Sequence, residues 1–95
     1  YYSTAETRIP CPDEVKFSVV ARLVEAFKEK YEVVGVDGAR VLFAEGWGLV
    51  RASNTQPVLV ARCEGKTPEA LAHICEVMRE YLVRVGGVED FSWEF

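Results

Sequence analysis

The sequence is poor in the features that mark several functional classes. No apolar run approaches the ~20 residues needed to cross a bilayer. Bases do not exceed acids: 11 Lys and Arg stand against 15 Asp and Glu, a net charge of −4. Binding to duplex nucleic acid or anionic membrane rests on a positive field, so neither is expected. Histidine is nearly missing, with His73 alone. Cysteine is scarce and odd in number: Cys11, Cys63 and Cys75 form no Cys-x-x-Cys pair. A small secreted disulfide scaffold would want an even count, so the cysteines read as apolar fillers in a reducing cytosol. His73 and Cys75 lie two residues apart, on different helical faces, which argues against a metal site. The chain opens Tyr1-Tyr2, with neither an initiator Met nor a signal-peptide apolar region. It reads as a processed chain or a piece cut from a longer one.

What is present fits one small domain. Ninety-five residues allow a single core, and 49% hydrophobic with 27% charged residues is ordinary globular usage. Such a chain should expose roughly 5,500 Å² when folded. The charge is uneven. Residues 64–95 carry seven acids against three bases, whereas residues 33–62 carry Arg40, Arg51 and Arg62 against Asp37 and Glu45. An anion site belongs in the middle stretch.

Residues 5–11 read as an extended segment that Pro10 confines to a sheet edge. A helix is expected over residues 13–30, with Pro12-Asp13-Glu14 at its start and an apolar face from Val20, Leu23, Val24, Phe27 and Tyr31. Asp13 and Glu14 read as partners of the helix dipole rather than general acids. Residues 33–36 and 39–43 flank Asp37-Gly38, the signal of a type I′ hairpin. Glu45-Gly46 marks a second turn, residues 47–52 a third strand and residues 57–64 a fourth. Thr67-Pro68-Glu69 opens a second helix, with Leu71, Ile74, Cys75, Met78, Leu82 and Val85 as its stripe and Gly86-Gly87 as its stop. The order reads β-α-β-β-β-α. It predicts an α+β domain: a four-stranded antiparallel sheet with two helices on one face. In the tail, Phe91, Trp93 or Phe95 is expected to fold back. Trp47 reads as sheet packing and His73 as an exposed helix residue.

The segment richest in chemistry is Arg51-Ala52-Ser53-Asn54-Thr55-Gln56. A plain hairpin loop needs two to five residues, commonly with Gly. This one gathers an Arg, two hydroxyls and an amide instead. The guanidinium fork matches phosphate oxygens, and Ser53 and Thr55 add hydroxyl donors. Asn54 tolerates left-handed dihedrals, which could turn successive N–H groups inward as an anion nest. On composition alone, a solvated turn with a surface Arg is the stronger claim on these residues.

The string from Gly46-Trp47-Gly48 through Arg51-Ala52-Ser53-Asn54-Thr55-Gln56-Pro57 to Glu64 resembles the C-terminal domain of the alpha-D-phosphohexomutases. It is most similar to the phosphomannomutase/phosphoglucomutase branch. Val36-Asp37-Gly38 and Tyr2-Ser3-Thr4-Ala5-Glu6 extend the resemblance across the chain. It implies a TATA-box-binding-protein-like fold and a fourth domain that clamps substrate phosphate in a multidomain enzyme. Arg51, Ser53, Asn54 and Thr55 would be the phosphate ligands. The parent would interconvert hexose 1- and 6-phosphates, of mannose or glucose, by intramolecular phosphoryl transfer in the cytoplasm. The resemblance also implies that the phosphoserine and magnesium sit in other domains, and this chain has no Ser-His motif and no Asp-x-Asp-x-Asp cluster. No catalytic nucleophile is expected here, and the fragment alone should be inactive. Asn54, where glucosamine-phosphate mutases usually have Gly, favours the mannose/glucose branch. Gln56 departs from the Glu of many members. A free-standing regulatory module for a small molecule, and a sheet that binds protein or nucleic acid, are the competing readings.

Overall fold

The computed structural model describes residues 1–95. Its elements are β1 (Tyr2–Ser3), β2 (Thr7–Pro10), α1 (Lys16–Lys28), β3 (Glu32–Val34), β4 (Ala39–Phe43), β5 (Gly46–Ala52), β6 (Val58–Gly65) and α2 (Pro68–Arg84). The accessible surface of 5511 Å² agrees with the value expected for a fully folded chain of this mass.

The expected class holds, but the count of four strands is too low: all five extended segments read from the sequence enter the sheet, and Tyr2–Ser3 adds a sixth strand. All pairings are antiparallel, in the order β1–β6–β5–β4–β3, with β2 also on β6. β1 and β2 are two halves of one edge. From Ser3 to Thr7 the edge advances four residues, while its partner advances three, from Glu64 to Ala61. One residue too many makes a bulge, which bends the edge and interrupts the ladder. Thr4 anchors the break: its N–H donates to the Cys63 carbonyl at 3.0 Å, and its Oγ1 accepts the Cys63 N–H at 3.1 Å. The C-terminal tail covers the rest. Ala5 donates to the Glu94 carbonyl at 2.8 Å, and the Glu94 N–H donates to Thr7 Oγ1 at 3.0 Å. Trp93 Nε1 reaches the Cys75 carbonyl at 3.2 Å. The aromatic tail therefore folds back as expected, although Phe95 itself stays exposed.

Period-2 burial separates the two faces of the sheet. Ala39, Val41, Val50, Leu59, Ala61 and Cys63 point to the helices and are fully buried. Arg40, Leu49 and Arg62, aligned across three strands, point the other way, where no helix covers them. Trp47 lies in the next row of this outer face, with the Arg40 guanidinium 4.8 Å from its ring. It is sheet packing of a half-exposed kind.

α2 follows its sequence signals closely. Thr67 Oγ1 accepts the Ala70 N–H at 3.0 Å, and Leu71, Ile74, Cys75, Met78 and Leu82 are buried. The helix sits directly on β5 at Gly48, where an added Cβ would fall 2.6 Å from Met78 Sδ. α1 is shorter than expected. Val15 and Lys16 both donate to the Pro12 carbonyl, so residues 12–15 form a turn and the helix begins at Lys16. Asp13 and Glu14 thus precede the helix, and Asp13 pairs with Lys16 rather than with the dipole. Phe27 stacks on Tyr81 at 4.1 Å and joins the two helices. His73 is exposed, and all three cysteines are free and buried.

The Asp37-Gly38 hairpin also differs. Val34 pairs with Arg40, and the four residues 35–38 join the strands instead of two. Gly38, at φ +145, lies against β5, where a Cβ would meet the Val50 carbonyl at 2.5 Å. The turn is set by that close approach, not by type I′ geometry.

Candidate anion-binding site

β5 delivers Arg51 to the rim of the sheet, and the loop over residues 53–57 carries the other candidate ligands. Ser53 is the pivot. Its N–H donates to the Val58 carbonyl at 3.1 Å, which closes the loop. Its buried Oγ accepts the N–H groups of Thr55 and Gln56, both at 3.2 Å. This Ser turn replaces the expected nest: no residue other than Gly has positive φ, so Asn54 is not left-handed. The Ser53 hydroxyl hydrogen has no acceptor within the chain. Asn54 and Thr55 are exposed, and the Asn54 amide N–H has no partner within the chain.

The structure therefore brings the four predicted residues to one corner with unequal duties. Asn54 and Thr55 present donors to solvent. Arg51 is half-exposed and lies at the same rim. Ser53 organises the turn. Two further ties come from afar: the Cys11 N–H donates to the Pro57 carbonyl at 2.9 Å, and Lys16 Nζ donates to the Gln56 carbonyl at 3.0 Å.

Arg51 is not idle. Glu6 Oε2 stands 3.7 Å from its guanidinium, and Glu6 Oε1 stands 3.6 Å from Arg8. Arg8 and Arg51 share a row through Val60, which explains why one carboxylate reaches both. These half-exposed pairs are worth little in stability. A carboxylate here is a weak competitor that a doubly charged phosphate could displace.

Beside the loop, a cleft of about 530 Å³ opens between α1 and the residue 35–38 turn. Phe17, Val20 and Val24 form one wall, Asp37 and Gly38 the other, and Arg51, Ala52 and Asn54 the floor. No three His, Cys, Asp or Glu side chains gather at one place.

Burial tunes the thiols. Desolvation raises the Cys11 pKa, and a hydrogen bond with Cys75 together with burial pushes the Cys63 thiol well up. The same hydrogen bond lowers the Cys75 thiol, and all three cysteines are buried.

Sequence reasoning missed Lys16 and Glu6. For Lys16 a signal existed: it lies three, seven and eleven residues before Val19, Leu23 and Phe27, on the buried stripe. Glu6 carried none, because its contact depends on the bulged edge.

Residues 6–81 match the family model described as "Phosphoglucomutase/phosphomannomutase, C-terminal domain". The chain is 46% identical over 84 residues to a phosphomannomutase/phosphoglucomutase of Pseudomonas putida, covering 87% of the chain and 18% of that protein. It is 38% identical over 91 residues to a probable phosphoglucosamine mutase of Methanothermobacter thermautotrophicus, covering 90% of the chain and 20% of that protein. A solved phosphoglucomutase/phosphomannomutase family protein from Burkholderia thailandensis superimposes with a TM-score of 0.69 at 32% identity, over 95% of the chain and 19% of its own. The chain spans about a fifth of the length of these relatives.

Proposed function

Because the chain belongs to the phosphoglucomutase/phosphomannomutase family as its C-terminal domain, we propose that its residue 51–55 loop binds the phosphate of a hexose phosphate. The observation that carries this reading is the rim itself. One guanidinium and the exposed donors of Asn54 and Thr55 share a corner beside an open cleft. Ser53 contributes its remaining hydroxyl donor and fixes the turn. Hydrogen bonds to a charged group contribute about 1.5–3 kcal/mol each, so three or four can hold a dianion against desolvation.

The parent enzyme is an isomerase that interconverts hexose 1- and 6-phosphates, of mannose or glucose, by intramolecular phosphoryl transfer in the cytoplasm. Magnesium, when bound, supplies charge stabilisation to the transferring phosphoryl group. It and the phosphoserine belong to other domains of the parent. This chain binds and orients: it fixes one end of the substrate, so that the reacting oxygen is held in place and water is excluded when the domains close. Alone it is inactive, because it presents no nucleophile.

The test is steady-state kinetics of a full-length mutase carrying this domain, with glucose 1-phosphate and mannose 1-phosphate. Arg51→Ala is expected to lower kcat/KM for both sugars about 10- to 100-fold, since the lost contact is with phosphate. Unchanged kcat/KM for both would remove the loop from substrate binding.

A further inference from the structure

Lys16 is the one lysine buried in the domain, at 5% exposure. Lysines are almost never so buried unless paired. It opens α1 on the stripe that packs inward. Its Nζ donates to Asp13 at 2.8 Å and to the carbonyl of Gln56, forty residues away, at 3.0 Å. The same carbonyl accepts the Val58 N–H at 2.8 Å, so both of its lone pairs are engaged.

We propose that Lys16 is the positioning residue of the anion loop: its ammonium holds the Gln56 carbonyl against α1 and so keeps the Asn54-Thr55 segment facing outward. This rests on the reading of the loop as a phosphate site. Packing does not account for the charge. A methionine would fill the same stem without the cost of burying an ammonium, which only good partners offset. The loop's own ties are few: Ser53 Oγ holds the Thr55 and Gln56 amides, and backbone bonds link Ser53 and Gln56 to Val58. Residues 53–57 contain no Gly, and their only side-chain ties come from Ser53 Oγ at one end. Lys16 supplies the matching tie at the other end. Its charge adds to the effect. A carbonyl turned toward a bound phosphate would repel it; drawn to Lys16, that dipole points inward. Asp13, the carboxylate partner of the ammonium, is largely exposed, so water screens it more than it screens the buried Lys16.

Lys16→Met removes the charge and keeps the stem, whereas Lys16→Arg keeps the charge. The 95-residue chain and both variants are titrated with inorganic phosphate, and amide exchange of Thr55 and Gln56 is measured without ligand. Both measurements are made where circular dichroism shows each protein folded. Lys16→Met should weaken phosphate binding about ten-fold and speed the two exchange rates by at least about ten-fold, while Lys16→Arg returns both to within about three-fold. If Lys16→Met does not fold, Lys16→Gln, neutral and too short to reach Gln56, takes its place with the same expectations. Unaltered affinity and exchange in the neutral variant would overturn the proposal, and so would a loss that Lys16→Arg fails to reverse. If the parent chain binds no phosphate, the loop's assignment as an anion site falls. The exchange rates of Thr55 and Gln56 then decide the role of Lys16 by themselves.

Discussion

The two ends of β5 are closed by very different turns. At its start, Ala44 and Glu45 alone separate Phe43 from its partner Gly46, and one outside bond, from Lys66 N–H to the Glu45 carbonyl, steadies them. At its end, five residues separate Ala52 from Val58, and the loop is held from three directions. Ser53 binds it internally, Cys11 grips Pro57, and Lys16 grips Gln56. A connection needs only the first kind of turn. The second is longer than the connection requires, polar at its tip and fixed by residues far away in sequence, which is how a scaffold holds a binding loop.

That contrast can be broken from the heavy side first. In the 95-residue chain, Arg51→Ala should weaken phosphate binding about 10- to 100-fold, while changing stability by no more than about 0.5 kcal/mol, because its native partner is a half-exposed carboxylate. Amide-shift titration and urea unfolding check the two halves. Ser53→Ala should act on both quantities. Two N–H groups lose their acceptor, so about 1–2 kcal/mol of stability and about ten-fold in phosphate affinity should go together. Glu6→Gln removes the resident competitor of Arg51 and should tighten phosphate about two- to three-fold, an effect that shrinks at high salt. Glu45→Ala, in the tight turn, should leave phosphate affinity unchanged and stability within about 0.5 kcal/mol.

Cys11, beside the Pro57 tie, gives a pH-dependent probe. Its thiol is raised by burial in the folded state, so the unfolded chain loses that proton first. Stability from this group is complete below the ordinary thiol pKa and declines as pH rises above it. Urea midpoints should therefore fall on the alkaline side of about pH 9. Cys63, raised as well, adds to the same fall, so Cys11→Ala should flatten only part of it, and an unchanged slope would remove Cys11 as a contributor.

Much of the domain could be read before the structure. α2 was legible from its Thr67 cap to Gly87 because each signal was local: a hydroxyl three residues before an amide, a stripe at helical spacing, glycines at the end. The loop residues were legible by their chemistry. What the sequence concealed depends on one distant contact and on two local bonds that compete with the expected geometry. The type I′ expectation at Asp37-Gly38 failed because Gly38 is there to lie on β5, a fact set by the neighbouring strand. The left-handed Asn54 failed because Ser53 Oγ already satisfies the amides a nest would have offered. The early helix start failed because Asp13 serves Lys16. At Gly38 a local preference yielded to a contact distant in sequence; at Asn54 and Asp13 it yielded to competing bonds only two or three residues away.

The most direct measurement compares the two turns in one experiment. Inorganic phosphate is titrated into the 95-residue chain while the amides of residues 44–46 and 51–56 are followed together. Millimolar affinity, about −4 kcal/mol, is expected for a site that lacks the rest of its cleft. Saturable shifts should be confined to residues 51–56 and vanish in Arg51→Ala, with residues 44–46 unmoved. Amides of residues 51–56 that stay still at saturating phosphate, or that move no more than those of residues 44–46, would contradict the account.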